Sequence, residues 1–172
     1  GPGNYYSDFL TENDIVGVRL FAGMKAHTII LPESAKEIAN YVFYQNKHLT
    51  KAVIGKSITK IGNYAFSGCK ALERITIPAS VTTLGGNAFY GCTALETVTF
   101  AEGSKIKKID ANTFYKCNSL TNISLEDLAL TEIGNSAFYQ CFALTGIDFT
   151  KFTSLTKMGT LAFRETAVVD VD

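Results

Sequence analysis

The chain of 172 residues lacks a net charge, because sixteen basic residues balance sixteen acidic ones. Sequence-independent binding to nucleic acid or to an anionic membrane needs a basic surface, so this balance argues against nucleic acid as a partner. The sequence also lacks an apolar run of the roughly 18 residues that a membrane helix needs, and the basic-then-apolar start of a signal peptide is missing. We therefore expect a chain with no membrane insertion.

The sequence is equally poor in residues that commonly carry catalysis or bind metals. His27 and His48 are the only histidines, and neither has a Ser, Cys or carboxylate partner at a recognisable motif spacing. The four cysteines lie one to a repeat, far apart along the chain, and not in the close Cys-x-x-Cys pairs of a zinc site. The sequence therefore predicts no enzyme, no metal site and no cofactor.

What the sequence does contain is an internal repeat. An apolar residue lies five positions before each repeated phenylalanine, and the four cysteines lie three positions after four of them. The phenylalanines recur at nearly constant intervals: Phe43, Phe66, Phe89, Phe114, Phe138 and Phe163. Such a period predicts a solenoid, in which coils stack because one coil alone cannot bury its apolar face.

Each repeat continues into the apolar pattern L-x-x-I-x-I, whose alternation is typical of a short strand with one buried face. The predicted strands lie at about residues 28–31, 52–54, 75–77, 98–100, 123–125 and 147–149. The cysteines fall in one column of consecutive coils, where parallel side chains make the disulfide dihedral hard to reach. We expect buried free thiols that pack beneath the phenylalanines.

The two ends of the chain differ from the repeats. Residues 1–3 read as the remnant of a cleaved expression tag, and residues 4–25 are predicted to form a helical cap, because a capping-box pattern at 11–14 precedes apolar residues at helical spacing. The array of about six repeats spans 26–172. Residues 168–172 are predicted to begin a seventh strand, so we expect the native array to continue beyond them.

The segment 61–78, IGNYAFSGCKALERITIP, resembles the repeat of the BspA-like leucine-rich-repeat family, whose pattern is IGxxAFxxCxxLxxIxIP. The resemblance covers most of the chain from Ala26 onward. It implies an α/β fold: a right-handed solenoid with a parallel β-sheet on its concave face and short helical or irregular turns on its convex face. It also implies a secreted or cell-surface protein that binds host or neighbouring-cell macromolecules.

The outward-facing strand residues are the first candidate for a binding surface, since extended sheets of solenoids commonly bind partners. A plain solvated sheet, chosen for strand propensity, is an equally open reading. The first reading predicts adhesion to an extracellular protein or glycan, and the second a structural spacer that presents another domain. The candidate residues are Ile30, Lys51, Val53, Arg74, Thr76, Thr97, Thr99, Asn122, Ser124 and Asp148.

A second column of candidates follows the phenylalanines and consists of Tyr44, Tyr90, Tyr115 and Tyr139. Tyrosines are enriched at interfaces because their rings are large and amphipathic. A stacked, half-buried ladder that stabilises the fold is the reading we favour.

Overall fold

The computed structural model describes residues 15–16 and 27–168. Each sequence period forms one coil, which we number 1 to 6 by the repeated phenylalanine that it contains, from Phe43 to Phe163. The strands of the described residues are, in chain order, β1 (Ile15–Val16), β2 (Thr28–Ile30), β3 (Glu37–Ile38), β4 (Lys51–Val53), β5 (Lys60–Ile61), β6 (Arg74–Ile77), β7 (Thr83–Leu84), β8 (Thr97–Phe100), β9 (Lys108–Ile109), β10 (Asn122–Ile123), β11 (Glu132–Ile133) and β12 (Lys157–Met158).

The longer strands form the first ladder, which consists of β2 paired with β4 and of β6, β8 and β10 paired in that order. All pairs are parallel, and equivalent residues of successive coils are partners, as Thr76 is with Thr99. Alternation sends Ile75 and Val98 into the core and leaves Arg74 and Thr76 exposed. The predicted strands of coils 1 to 5 are confirmed, with ends shifted by one or two positions.

The shorter strands form a second parallel ladder, which the sequence did not predict. It consists of β1-β3-β5-β7 and of β9-β11-β12. Where short helical or irregular turns were expected, the structure has a second line of β-pairing followed by irregular turns. The described residues contain no α-helix, only 3-10 turns at Leu125–Asp127 and Phe149–Lys151, so the α/β class is wrong for them. The right-handed winding stays a prediction.

The helical cap predicted at residues 4–25 is wrong where the structure describes it. Ile15–Val16 form β1, which pairs in parallel with Glu37–Ile38 of coil 1. Both are β-branched residues, which favour strands, and the edge of coil 1 offers them unpaired backbone groups. The rest of the predicted cap lies outside the described residues.

The sixth predicted strand, at 147–149, is also wrong. Asp148 begins a 3-10 turn instead, and its carboxylate accepts hydrogen bonds from the backbone N and the hydroxyl of Thr150, at 3.0 and 2.6 Å. Asp and Thr side chains compete in this way with backbone pairing. Of the seventh strand, only Val168 is described, and it belongs to no strand.

The core is a stack of rings. Phe43, Phe66, Phe89, Phe114 and Phe138 are fully buried, and neighbouring rings are stacked with centroids 5.0 to 5.5 Å apart. The backbone at this position also joins the coils, because the amide of each phenylalanine donates to a carbonyl of the next coil, as from Phe66 to Ala88 at 2.8 Å. The core column predicted from the period is confirmed.

Candidate binding surface

The candidate residues of coils 1 to 4 lie together on the outer face of the first ladder. Pairing places Thr28 and Ile30 beside Lys51 and Val53, and Arg74 and Thr76 beside Thr97 and Thr99. Asn122 continues this row next to Thr97 in coil 5. Most of these side chains are exposed, whereas Ile30 and Thr97 are half-buried.

Ser124 and Asp148 are exposed but do not extend this face as strand residues. Ser124 precedes the 3-10 turn at Leu125–Asp127, and Asp148 begins the next one. The hydroxyl and then the amide of Thr150 lower the pKa of the Asp148 carboxyl, and Glu126 accepts a hydrogen bond from the Asp148 amide at 3.1 Å. The acidic end of the predicted surface is therefore part of a turn.

The first ladder is interrupted between coils 2 and 3. In coils 2 and 4 the first strand residue donates its amide to the preceding coil, Lys51 to the carbonyl of His27 at 3.1 Å and Thr97 to that of Glu73 at 3.2 Å. Among the described residues, the equivalent amide of Arg74 makes no such bond, and β4 and β6 are neighbours without pairing. Both strands therefore present a free edge to each other.

The residues at this junction give a physical reason for the interruption. Lys51 and Arg74 occupy equivalent positions, as shown by their partners Thr28 and Thr97, so pairing of β4 with β6 would place two cations directly opposite each other. Like charges opposite each other destabilise a strand pair. The inward residue of β4 is Ala52, which fills less space than Ile75, the equivalent residue in coil 3.

A groove of about 730 Å³ lies at this junction. Its charged walls are Lys51, Lys56, Arg74 and Glu73, and its apolar surface includes Val53, which is 39% exposed. The remaining lining residues come from the two strands, from the residues next to them and from the loop after β8: Thr50, Ala52, Ile54, Ile75, Thr76, Pro78, Ala79, Ser80 and Ala101. Four of the candidate residues thus line one groove, which sequence reasoning did not predict.

The second ladder is interrupted one junction later, between β7 and β9. In coils 2, 3, 5 and 6 a glycine follows the strand, and a Cβ there would lie 2.3 to 2.6 Å from the backbone of the preceding coil. Asp110 replaces this glycine in coil 4, where the pairing is missing. Coil 3 is therefore joined to coil 2 through the second ladder and to coil 4 through the first.

Three of the four predicted tyrosines form a stacked ladder, as the favoured reading predicted. The rings of Tyr90, Tyr115 and Tyr139 are half-buried and nearly parallel, with centroids 4.8 and 4.9 Å apart. The ammonium of Lys116 lies 5.6 Å from the centre of the Tyr115 ring. Tyr44 stands outside this stack and meets Tyr41 edge to face.

The cysteines are buried and free, as predicted. Each thiol donates a hydrogen bond to a phenylalanine carbonyl of the preceding coil, as Cys92 does to Phe66 at 3.1 Å. Burial raises the pKa of Cys92 and of Cys141 to about 12. A thiolate is the reactive form, so these groups are poor nucleophiles in the folded protein.

The described residues contain neither a cluster that could hold a metal ion nor a helix that could cross a membrane. Within 27–168 and the short segment at 15–16, no three His, Cys, Asp or Glu side chains come together in a way that could hold a metal ion. None of the helices described in this part of the chain has the length and apolarity needed to cross a membrane.

Comparison with known proteins shows where this repeat occurs. The sequence model of the family described as the BspA-type leucine-rich-repeat region matches this chain in six copies, over residues 7–105 and 36–169. The chain is also similar to the solved structure of a leucine-rich cell-surface protein from Faecalibacterium prausnitzii, with 30% identity and a TM-score of 0.75 over 90% of this chain and 42% of the other. It is similar as well to a leucine-rich-repeat protein from Eubacterium ventriosum, with 27% identity and a TM-score of 0.72 over 95% of this chain and 49% of the other.

A third similar structure is the pneumococcal vaccine antigen PcpA, with 25% identity and a TM-score of 0.54 over 83% of this chain and 29% of that one. The chain spans less than half the length of each of these three proteins. No curated protein sequence matches it.

Proposed function

Because the chain belongs to the BspA-type leucine-rich-repeat family, we propose that it is a non-enzymatic binding module of a bacterial surface protein, which adheres to an extracellular protein or glycan through the outer face of its first ladder. The observation that carries this proposal is the groove between β4 and β6. There, exposed cations and apolar side chains surround an interruption of the ladder. A plain spacer has no need for such an interruption.

The comparisons support a place at the cell surface. One similar structure is that of a leucine-rich cell-surface protein, and another is that of a vaccine antigen. We accordingly propose that the chain is secreted or held at the cell surface, where host or neighbouring-cell macromolecules are within reach.

A structural spacer is the second candidate function. It is favoured by the uniform small polar side chains of Thr76, Thr99 and Ser124, which provide little contact area for a partner. A spacer would bind nothing through the first ladder.

The test is binding of the purified chain to an array of extracellular-matrix proteins, mucins and glycans. The variant Lys51→Glu with Arg74→Glu reverses the charge of the groove. A matched control, Lys70→Glu with Lys105→Glu, makes the same charge change at two exposed lysines elsewhere on the coils. Thermal unfolding of both variants shows that they are folded.

We expect a partner that binds the wild-type chain and the control, and that loses affinity for the groove variant. Because the contact is electrostatic at its rim, binding should also weaken as the salt concentration rises. A partner that binds the groove variant with unchanged affinity would show that the binding site lies outside the groove. No partner at all would favour the spacer.

A further inference from the structure

The groove carries an unbalanced positive charge. Lys51, Lys56 and Arg74 line it, against the single carboxylate of Glu73. The ion pairs of the described residues lie elsewhere, on the second ladder around Lys108. None of the three groove cations therefore has a carboxylate partner within the described part of the chain, and an anionic group of a ligand would meet charges that are not yet neutralised.

The apolar part of the groove restricts what kind of anion fits. The exposed Val53 and the half-buried Ala79 and Ala101 provide aliphatic surface, and no aromatic side chain is among the lining residues. A sugar ring would thus find no ring to stack on, and a polyanion would leave the aliphatic surface uncovered. An aliphatic side chain next to a carboxylate fits both parts of the groove.

Polar groups at the junction match a peptide backbone. The Arg74 amide faces β4 without a backbone acceptor among the described residues. Ser80 also lines the groove, and its buried hydroxyl has no hydrogen-bond partner in the same part of the chain. The carbonyl of an extended peptide can accept the hydrogen bond that the Arg74 amide does not make within the described coils.

From these three observations we propose that the groove binds an extended peptide segment of a partner protein, with an Asp or Glu carboxylate between Lys51 and Arg74 and an aliphatic side chain against the exposed Val53. This inference rests on the proposed function and names its ligand. The carboxylate would also remove the repulsion that keeps β4 and β6 apart.

The test uses an array of nonapeptides whose central residue is Asp, Asn or Lys, with aliphatic and polar residues alternating on both sides. Affinities of the best peptides are then measured in solution for the whole chain and two variants. Lys51→Glu with Arg74→Glu reverses two of the three groove cations and keeps like charges opposite each other, so that β4 and β6 remain unpaired. Lys70→Glu with Lys105→Glu, at two exposed lysines outside the groove, is the matched control.

We expect the Asp peptides to bind about tenfold or more tightly than their Asn counterparts, with the Lys peptides not binding. The groove variant should lose this preference for Asp, and the control should keep it. The apolar contact has its own test: Val53→Ser should weaken the Asp peptides while their advantage over Asn remains. Equal binding of Asp and Asn peptides, or no peptide binding, would overturn the proposal.

The two proposals fail in different ways. If the macromolecule array returns a glycan whose binding depends on Lys51 and Arg74, the proposed function stands and the peptide inference is wrong. If peptides bind with the expected Asp preference but the array partner binds the groove variant as tightly as the wild-type chain, the inference stands and the site of adhesion lies elsewhere.

Discussion

Lys51 and Arg74 occupy equivalent positions of two neighbouring strands, and no backbone hydrogen bond joins those two described strands. The same position in coils 1 and 4 is held by threonine, and both Thr28 and Thr97 take part in pairing. The interruption thus coincides with the one junction of the described first ladder where two cations would face each other.

Lys51→Thr removes one of the two charges, so we expect the first ladder to close between coils 2 and 3. Hydrogen exchange at the Arg74 amide should slow toward the rate at Thr97, and the free energy of unfolding should rise by about 0.5 to 1 kcal/mol. Exchange measured by NMR checks this. Lys60→Thr serves as the control, and an unchanged Arg74 amide would show that charge does not cause the interruption.

Gly85→Ala tests the close approach of the coils on the second ladder. A Cβ there would lie 2.6 Å from the backbone nitrogen of Asn63, so coils 2 and 3 must separate. We expect a loss of about 3 kcal/mol in the free energy of unfolding. Gly86→Ala is the matched control, since its nearest neighbour, the carbonyl of Ala111, is 3.3 Å away. Similar losses in the two variants would rule out this explanation.

Gln140→Gly is expected to stabilise the protein. Gln140 has a φ of 60°, in the left-handed region, and the equivalent positions of coils 2 and 3 are held by Gly68 and Gly91 with similar values. Removing the Cβ relieves a strain of about 1 to 2 kcal/mol, less the entropy cost of a glycine, so the net gain should be about 0.5 to 1 kcal/mol. Urea unfolding measures it. Gln140→Ala retains the Cβ and should give no gain.

The cysteine column predicts how stability depends on pH. The folded pKa of Cys92 is raised to about 12 from an ordinary value of 9.0, so the unfolded chain ionises first. The contribution of this thiol is therefore fully present below pH 9 and is lost as pH rises from 9 toward 12, by at most about 1.4 kcal/mol per pH unit. Urea unfolding between pH 8 and about 10.5 measures the slope. Cys92→Ala should make the slope shallower, and an equal slope would contradict the prediction.

The sequence predicts those parts of the fold that repeat a strong apolar signal. The constant spacing of residues such as Phe89 and Cys92 places the core, because buried positions tolerate few residue types. A strand as short as Lys60–Ile61 gives no alternation to detect, so the second ladder could not be foreseen. The strand expected at 147–149 failed because the hydrogen bonds between Asp148 and Thr150 formed a turn, an interaction that apolar spacing does not report.

The candidate site shows a similar division. Lys51, Val53, Arg74 and Thr76 were predicted to lie on one face, since strand alternation determines which side chains point outward. The groove that they line depends on whether β4 and β6 pair, and the spacing from Lys51 to Arg74 equals that from Thr28 to Lys51 at the regular junction before it. The signals in the sequence are a pair of like charges at matching positions and Ala52 in the place of a larger inward residue.

The interruption of the first ladder needs no inserted residue. Coils 2 and 3 keep the common length and the common core ring, and they stay joined through the second ladder and through the amide of Phe66. A tandem array can therefore open a cleft at a junction without changing the length of a coil or the stacking of its core rings. The number of junctions at which such an array can present a cleft grows with the number of its coils, and each junction can change independently of the others.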